Sequence, residues 1–392
     1  MTILRNGIGS SADNEQDLMM SIEPVGPVSP NAEPNYVFDD NDNSQVWLSR
    51  QAMKYGVKTI YASAWSPPGF MKTNGNDSNG GTLCGVTGTH CESGDWKQAY
   101  ANYLVQYITF YKKLNIPITH VGFVNGPDLS VPYASMQMDG TQAGEFLTVL
   151  GPTLKREGLG TKVVCCDATG WHQQRDILHE LQQVHGAAEV VSVVAAHGYQ
   201  SDPSTPYDTE APMWQSEWAD LFGHWTTAWD DTGRLGDGIL WANKMQDFFT
   251  VSGGSAFLHW IGAENSTGNT MLIKIAGDTV DVSTRLWASA HFGRWVRPGA
   301  KRVGATTSDV LLACSAFTNV DGTLAIQVIN NGHADAEVSI SVNGTSGSSV
   351  HPWLTNNSNN LTALAVLNVH HEAFTGSIPK RSMVSFIIPS AV

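Results

Sequence analysis

The sequence predicts an α/β fold: a (β/α)8-type barrel lacking its first strand over residues 1–295, with a C-terminal all-β sandwich side domain over residues 296–392. Three observations predict it. Short apolar, β-rich runs alternate with amphipathic helical segments as far as residue 260. Polar and aromatic residues collect where those runs end. Beyond residue 300 the helical period disappears, and alternating strands separated by Gly, Asn and Ser turns replace it. Buried strands joined through helices form a parallel sheet. A parallel barrel carries its chemistry at the C-terminal ends of its strands, where Trp65, Asn125, Trp171, His197, Tyr199, Glu217 and Trp260 lie.

Taken in order, the predicted strands are 2–9, 58–64, 119–124, 162–167, 190–197, 212–217 and 255–260. Helices are predicted at 46–55, 96–114, 143–156, 173–184 and 238–251. The longest, WKQAYANYLVQYITFYKKL, repeats apolar residues every three or four positions, as a helix lying on a sheet requires. A barrel of seven strands would keep two unpaired edges. The expectation is therefore that an N-terminal strand and helix have been removed, or that another segment covers the gap. A helix over 284–292 bridges to the second part, where VLLACSAF, GTLAIQVIN, AEVSISVNG and SMVSFIIP read as sandwich strands.

Hydrophobic residues make up 42% and charged residues 15%, a globular balance. The net charge of −14 argues against a phosphate backbone or an anionic membrane surface as partner. No apolar run reaches transmembrane length. Thirteen tryptophans supply flat apolar faces of the kind sugars stack on, although roughly half are expected to fill core. Of the five cysteines, Cys84 and Cys91 bracket the loop GTLCGVTGTHCESG and predict a short disulfide. Cys165, Cys166 and Cys314 are expected to be small buried residues. Sequons begin at Asn76, Asn265, Asn343, Asn356 and Asn360. With the cysteine loop they predict a secreted protein whose leader is absent from this chain.

Glu217, in PMWQSEWAD, is the strongest single candidate for chemistry: a strand-end carboxylate between Trp214 and Trp218. The plain alternative is a surface glutamate that follows a strand. A retaining glycosidase needs two carboxyl groups about 5–5.5 Å apart, one a nucleophile and one a proton donor. The strand 119–124 runs into Asn125-Gly126-Pro127-Asp128, and Gly126 has no side chain to donate a proton.

The strings YASAWSPPGFMKTNG, HVGFVNGPDLS, VVAAHGYQ, MWQSEWAD and GGSAFLHW, followed by a β-sandwich, resemble glycoside hydrolase family 30 in this order and across almost the whole chain. The resemblance implies that Glu217 is the nucleophile and that Gly126 stands where the family has its acid/base Glu. It implies that Asn125 bonds the sugar 2-hydroxyl and that Arg5 pairs with the nucleophile. His197 and Tyr199 resemble the pair flanking the nucleophile, and Trp260 the aromatic floor of the cleaved sugar's subsite. Trp65 and Trp171 are then stacking surfaces for neighbouring units. Asp128 and Glu264 are weaker candidates to replace the missing acid. The family also carries a first barrel strand and N-terminal strands that join the sandwich, in keeping with the count of seven.

Substrates within the family include xylan, β-1,6-galactan, β-1,6-glucan and glucosylceramide. The cysteine-bearing loop and Trp-rich strand ends resemble the fungal xylanase branch most. Two other classes stay open: a carbohydrate-binding pseudo-enzyme that does not cut, and a structural or interaction protein. The thirteen histidines are scattered, and the sequence has neither H-E-x-x-H nor paired CxxC, so no metal is expected. No glycine-rich phosphate loop follows a strand, so no cofactor is expected either. The chain is read as a monomer that takes a polysaccharide or oligosaccharide.

Overall fold

The computed structural model describes residues 1–11, 19–344 and 347–390. Two compact units result: Met1–Glu217 with Gly254–Leu258, and Trp218–Gly253 with His259–Val392.

In the first unit seven strands form one curled, parallel sheet in chain order. They are β1 (Ile3–Ile8), β2 (Thr59–Ala64), β3 (His120–Gly122), β4 (Lys162–Ala168), β5 (Val191–His197), β6 (Met213–Glu217) and β7 (Ala256–Phe257). Every predicted barrel strand is present. The helices of this unit are α1 (Gln45–Lys54), α2 (Lys97–Lys113), α3 (Gly140–Arg156) and α4 (Trp171–Leu181). On α2 the buried residues Tyr100, Tyr103, Leu104, Tyr107, Ile108 and Tyr111 recur at the predicted spacing. α3 starts three residues before its apolar pattern because Asp139 and Gln142 form a capping box at its N-terminus.

The sheet buries both faces. Outward, Ile60, Ala62, Val121, Phe123 and Val163 pack under the helices. Inward, Tyr61, Val164, Val193, Ala195 and Trp214 cluster with Ile3 and Ala256, and the His120 ring lies 4.8 Å from Trp214. All seven strands thus contribute to one apolar plug, on which the polar strand ends rest. Strands buried on both faces read as continuous apolar runs, which is why they were legible.

The second unit holds α5 (Gly238–Thr250), α6 (Thr284–Trp295) and the sandwich. Its larger antiparallel sheet runs Lys301–Val303, Leu312–Thr318, Leu324–Asn330, Ser382–Ile388, Ser349–Asn356, Asn359–Ala363. Ala336–Ser341 pairs with Ala373–Ile378 in a separate two-stranded sheet. Within α6, His291 bridges Ser385 Oγ at 2.6 Å and Thr355 Oγ1 at 2.8 Å. The compact units divide at Glu217 rather than at the change of texture near residue 295, because α5 and α6 pack on each other and on sandwich strands.

Cys84 and Cys91 form the expected disulfide, with Cα atoms 5.8 Å apart. Cys165 and Cys166 are buried as expected, and their neighbouring sulfurs are joined to each other. Cys314 is free and only half-buried.

Candidate active site

Two neighbouring bulges build the site. Between β4 and β5, Cys166 pairs with Ala195 and Ala168 with Ala196, which leaves Asp167 as the extra residue. Between β5 and β6, Ala196 pairs with Gln215 and His197 with Glu217, which leaves Ser216 extra. A bulge re-aims the side chains that follow it. Val164 and Asp167, three apart, therefore both meet Tyr61 on the inner face, whereas Cys165, Cys166 and Ala168 pack outward. Trp214, Ser216 and Glu217 likewise all reach the inner side. Asp167 adopts a left-handed backbone, φ 56°, which non-glycine residues seldom take.

Arg5 of β1 sits at the centre of the resulting network. Its Nη1 donates to Glu217 Oε2. Its Nη2 reaches Asn125 Oδ1 at 2.5 Å, Asp167 Oδ2 at 2.8 Å and Ser63 Oγ at 3.3 Å. Asp167 Oδ2 also accepts from the Tyr61 hydroxyl at 2.5 Å and Ser63 Oγ at 3.0 Å, and Oδ1 accepts from Ser216 Oγ at 2.6 Å. The Tyr199 hydroxyl donates to Glu217 Oε1 at 3.1 Å, and His197 Nε2 stands 3.8 Å from Oε2.

The electrostatics follow from these contacts. Burial alone would raise the Asp167 carboxyl, but the Arg5 guanidinium, helped by His197, Ser216 and Tyr61, holds it below the usual carboxylate range. Burial alone would lower Arg5, yet the Asp167 and Glu217 carboxylates carry it above its ordinary value. Burial pushes His197 down, so the imidazole is neutral, although Glu217 and Asp167 oppose the shift. Tyr199 is pushed up by burial and by Glu217, so its hydroxyl keeps its proton and donates.

At the mouth, the Trp65 and Tyr133 rings lie 5.6 Å apart, tilted at 56°. Tyr133 is 38% exposed, and burial together with the Glu217 charge raises its phenol. Gly126 adopts φ +58° and donates its N–H to the Asp167 carbonyl at 2.8 Å. A Cβ placed on it would meet Thr169 Cγ2 at 3.4 Å and Leu129 Cδ1 at 3.9 Å. There is room for a side chain there, in a backbone conformation that disfavours one. Asp128 spends both oxygens on Thr169, accepting from its N–H at 2.9 Å and from its hydroxyl. It orients the loop.

Comparison with known proteins decides the family. Residues 30–197 match the model of O-Glycosyl hydrolase family 30, and residues 299–386 match that of the Glycosyl hydrolase family 30 beta sandwich domain. The catalytic domain of GH30 xylanase C from Talaromyces cellulolyticus superposes with a TM-score of 0.93 at 41% identity, covering 100% of this chain and 88% of that one. The chain belongs to glycoside hydrolase family 30. It is also similar to endo-1,6-beta-D-glucanase BGN16.3 of Trichoderma harzianum, 23% identical over 93% of this chain and 75% of that protein. Glucuronoxylanase XynC of Bacillus subtilis is 23% identical over 89% of this chain and 79% of its own length.

Of the family-30 positions inferred from sequence, Arg5, Asn125, His197, Tyr199 and Glu217 come together in one network, with Gly126 directly after Asn125. Trp65 pairs with Tyr133, whose phenol feels the charge of Glu217. Trp171 is a correction. It is 0% exposed, stacked on Tyr207 at 4.1 Å with its Nε1–H bound to the Thr205 carbonyl, so it packs α4 and offers no face to a sugar. Trp214 is likewise part of the apolar plug rather than a sugar wall. Trp218 and Trp260 belong to the second unit, where Trp260 N–H donates to the Trp218 carbonyl at 3.0 Å and Trp218 is buried. Glu264, in the same unit, is exposed and accepts from the Thr270 hydroxyl at 3.0 Å.

Sequence reasoning missed Tyr61, Ser63, Tyr133, Asp167 and Ser216. Tyr61 and Ser63 alternate along β2 towards the inner face, a signal that was available. Asp167 stands three residues after the inward Val164, out of phase with a regular strand, and the sequence does not announce the bulge.

Proposed function

We propose that this family-30 glycosidase is a retaining enzyme of the xylanase type. Glu217 is its nucleophile, and Gly126 stands in place of the acid/base. The observation that carries the reading is the convergence of Arg5 and Tyr199 on the two oxygens of Glu217, at the end of a strand resting on an apolar plug. Two donors fix the carboxylate, and a neutral His197 beside it adds no competing charge. Asn125 has Oδ1 bound by Arg5, which leaves its amide hydrogens to a sugar hydroxyl. Trp65 with Tyr133 supplies the stacking face.

The mechanism divides at Gly126. Attack by Glu217 on the anomeric carbon needs no proton donor when the leaving group is already a weak base. A sugar alkoxide does need one, and general acid catalysis is worth about 10²–10⁴ in rate. Asp167 does not fill the role: it is fully buried and ionised. Asp128 is committed to Thr169. The unmodified chain is therefore nearly inactive on polysaccharide and competent on aryl glycosides with acidic phenols.

The 41% identity to a xylanase over the whole chain supports xylan as substrate. Likeness to endo-1,6-β-glucanases at 22–24% identity favours β-1,6-glucan as the second reading. Reducing-sugar release by the Gly126→Glu variant from xylan, β-1,6-glucan and β-1,6-galactan tests the choice. Release from xylan is expected. Release from another glycan alone overturns the substrate, and xylan hydrolysis no faster than the unmodified chain overturns the acid/base position. If no glycan is cut, calorimetry with xylo-oligosaccharides separates a binding protein from a structural one.

Secretion belongs to the same proposal. Asn76, Asn265, Asn343 and Asn360 are exposed, and the Cys84–Cys91 disulfide suits an oxidising compartment. A mobility shift on deglycosylation of secreted material checks it.

A further inference from the structure

We propose that Asp167 is a positioning residue: it locks the guanidinium of Arg5 in one orientation and thereby fixes the carboxylate of Glu217 for attack. The inference rests on the reading of Glu217 as nucleophile.

Burial, bonding and backbone register carry it. Among the described residues Arg5 Nε is buried without a hydrogen-bond partner, so the hydrogen bonds that orient the fork are those of its two terminal nitrogens. One of these goes to Glu217, and on the other Asp167 is, among the described residues, the one charged partner. Asp167 is itself saturated, with Arg5, Tyr61 and Ser63 on Oδ2 and Ser216 on Oδ1. At 0% exposure it cannot touch a sugar, so any effect on the reaction passes through its partners, of which Arg5 is the one bonded to Glu217. Finally, the backbone makes a costly arrangement to put it there: a bulge and a left-handed, non-glycine φ of 56°. Such strain persists where the surroundings impose it, and it concentrates at functional sites. The second bulge, at Ser216, aims a hydroxyl at the same carboxylate from the strand that carries Glu217. Register, charge and hydrogen bonding therefore converge on the orientation of one guanidinium.

The rival role is structural, with Asp167 only neutralising a buried cation. A stopped-flow burst distinguishes the two. The full chain is mixed with 2,4-dinitrophenyl β-xylobioside, with the β-gentiobioside as a second arm. The C1–O bond breaks, dinitrophenolate leaves with the electron pair, and Glu217 Oε bonds to C1 with no proton transferred. Burst amplitude counts competent sites, and the burst rate constant reports attack. In Asp167→Asn the rate constant is expected to fall about 10²-fold, the effect of a misplaced reacting group, with half-saturation changed by less than about threefold. Ser216→Ala keeps both charges and removes one donor, so it should slow the burst about fivefold, the worth of one hydrogen bond. If Asp167→Asn does not fold, Ser216→Ala and Tyr61→Phe decide. A reduced amplitude with an unchanged rate constant, in whichever variants fold, makes Asp167 structural and overturns the proposal. No burst from the unmodified chain in either arm, or a burst retained by Glu217→Gln, overturns the reading of Glu217 first and this inference with it.

Discussion

Asp167 and Glu217 share one guanidinium, each bonded to a different terminal nitrogen of Arg5. Two carboxylates around a single buried cation leave a net negative charge beneath the mouth of the site. One carboxylate is enclosed and saturated. The other, 8% exposed, is the one that can reach a substrate. This division of roles sets the following expectations.

Gly126→Glu should raise xylan hydrolysis by about 10²–10⁴-fold, the usual worth of a positioned general acid. The gain comes with a cost. At φ +58° the new side chain sits in the left-handed region, so the variant should be less stable by about 1–2 kcal/mol. Reducing-sugar assays and denaturant melts of the same preparations measure both effects.

Trp65 and Trp171 should respond in opposite ways. Trp65→Ala removes one ring of an open pair at the mouth and should weaken xylo-oligosaccharide binding by about 1 kcal/mol with little change in stability. Trp171→Ala opens a cavity beside Tyr207 and should cost about 3–5 kcal/mol of stability. Calorimetric titration and thermal melts separate them.

Stability should be lost on both flanks of the acid range. Burial pushes His291 and His259 down to about 3 and His120 to about 4, below their unfolded value near 6.5. The unfolded chain therefore binds protons first, and this contribution, complete above pH 6.5, is lost as pH falls towards 3–4. Glu23 runs the other way. Burial, against a lowering by the Asn35 backbone, raises it to about 7, so its contribution is complete below pH 4.5 and is lost as pH rises through 7. Each group contributes a slope of at most about 1.4 kcal/mol per pH unit. Thermal melts of Glu23→Gln should flatten the pH 4.5–7 flank and leave the histidine flank unchanged.

The Cys84–Cys91 bridge closes a loop with a sequence separation of 7. Replacing both cysteines with alanine should cost about 2–3 kcal/mol on loop-closure grounds. Urea midpoints of the double variant and the parent measure it.

The fold was legible because the barrel strands are apolar on both faces and the α2 helix keeps its period throughout. Parts of the sandwich were less so. Ser349–Asn356 and Asn359–Ala363 were not among the predicted strands, yet pairing with Ser382–Ile388 and with each other makes them strands. In the candidate site, Glu217 stood out by its position, and the family resemblance pointed to Arg5, Asn125, His197 and Tyr199, which lie in one network with it. Asp167 was hidden because a strand's two-residue alternation, counted from Val164, assigns it to the outer face, and only the bulge returns it to the inner one. Trp171 misled for the opposite reason: a strand-end tryptophan reads as a sugar platform until the ring beneath it, Tyr207, is seen.

Trapping the glycosyl-enzyme identifies the carboxylate that attacks. The unmodified chain is incubated with 2,4-dinitrophenyl 2-deoxy-2-fluoro-β-xylobioside, digested, and its peptides weighed by mass spectrometry. One ester-linked sugar is expected on the peptide containing Glu217 and none in Glu217→Gln. A sugar attached to a different carboxylate, or no adduct while the aryl glycoside is still turned over, would contradict it.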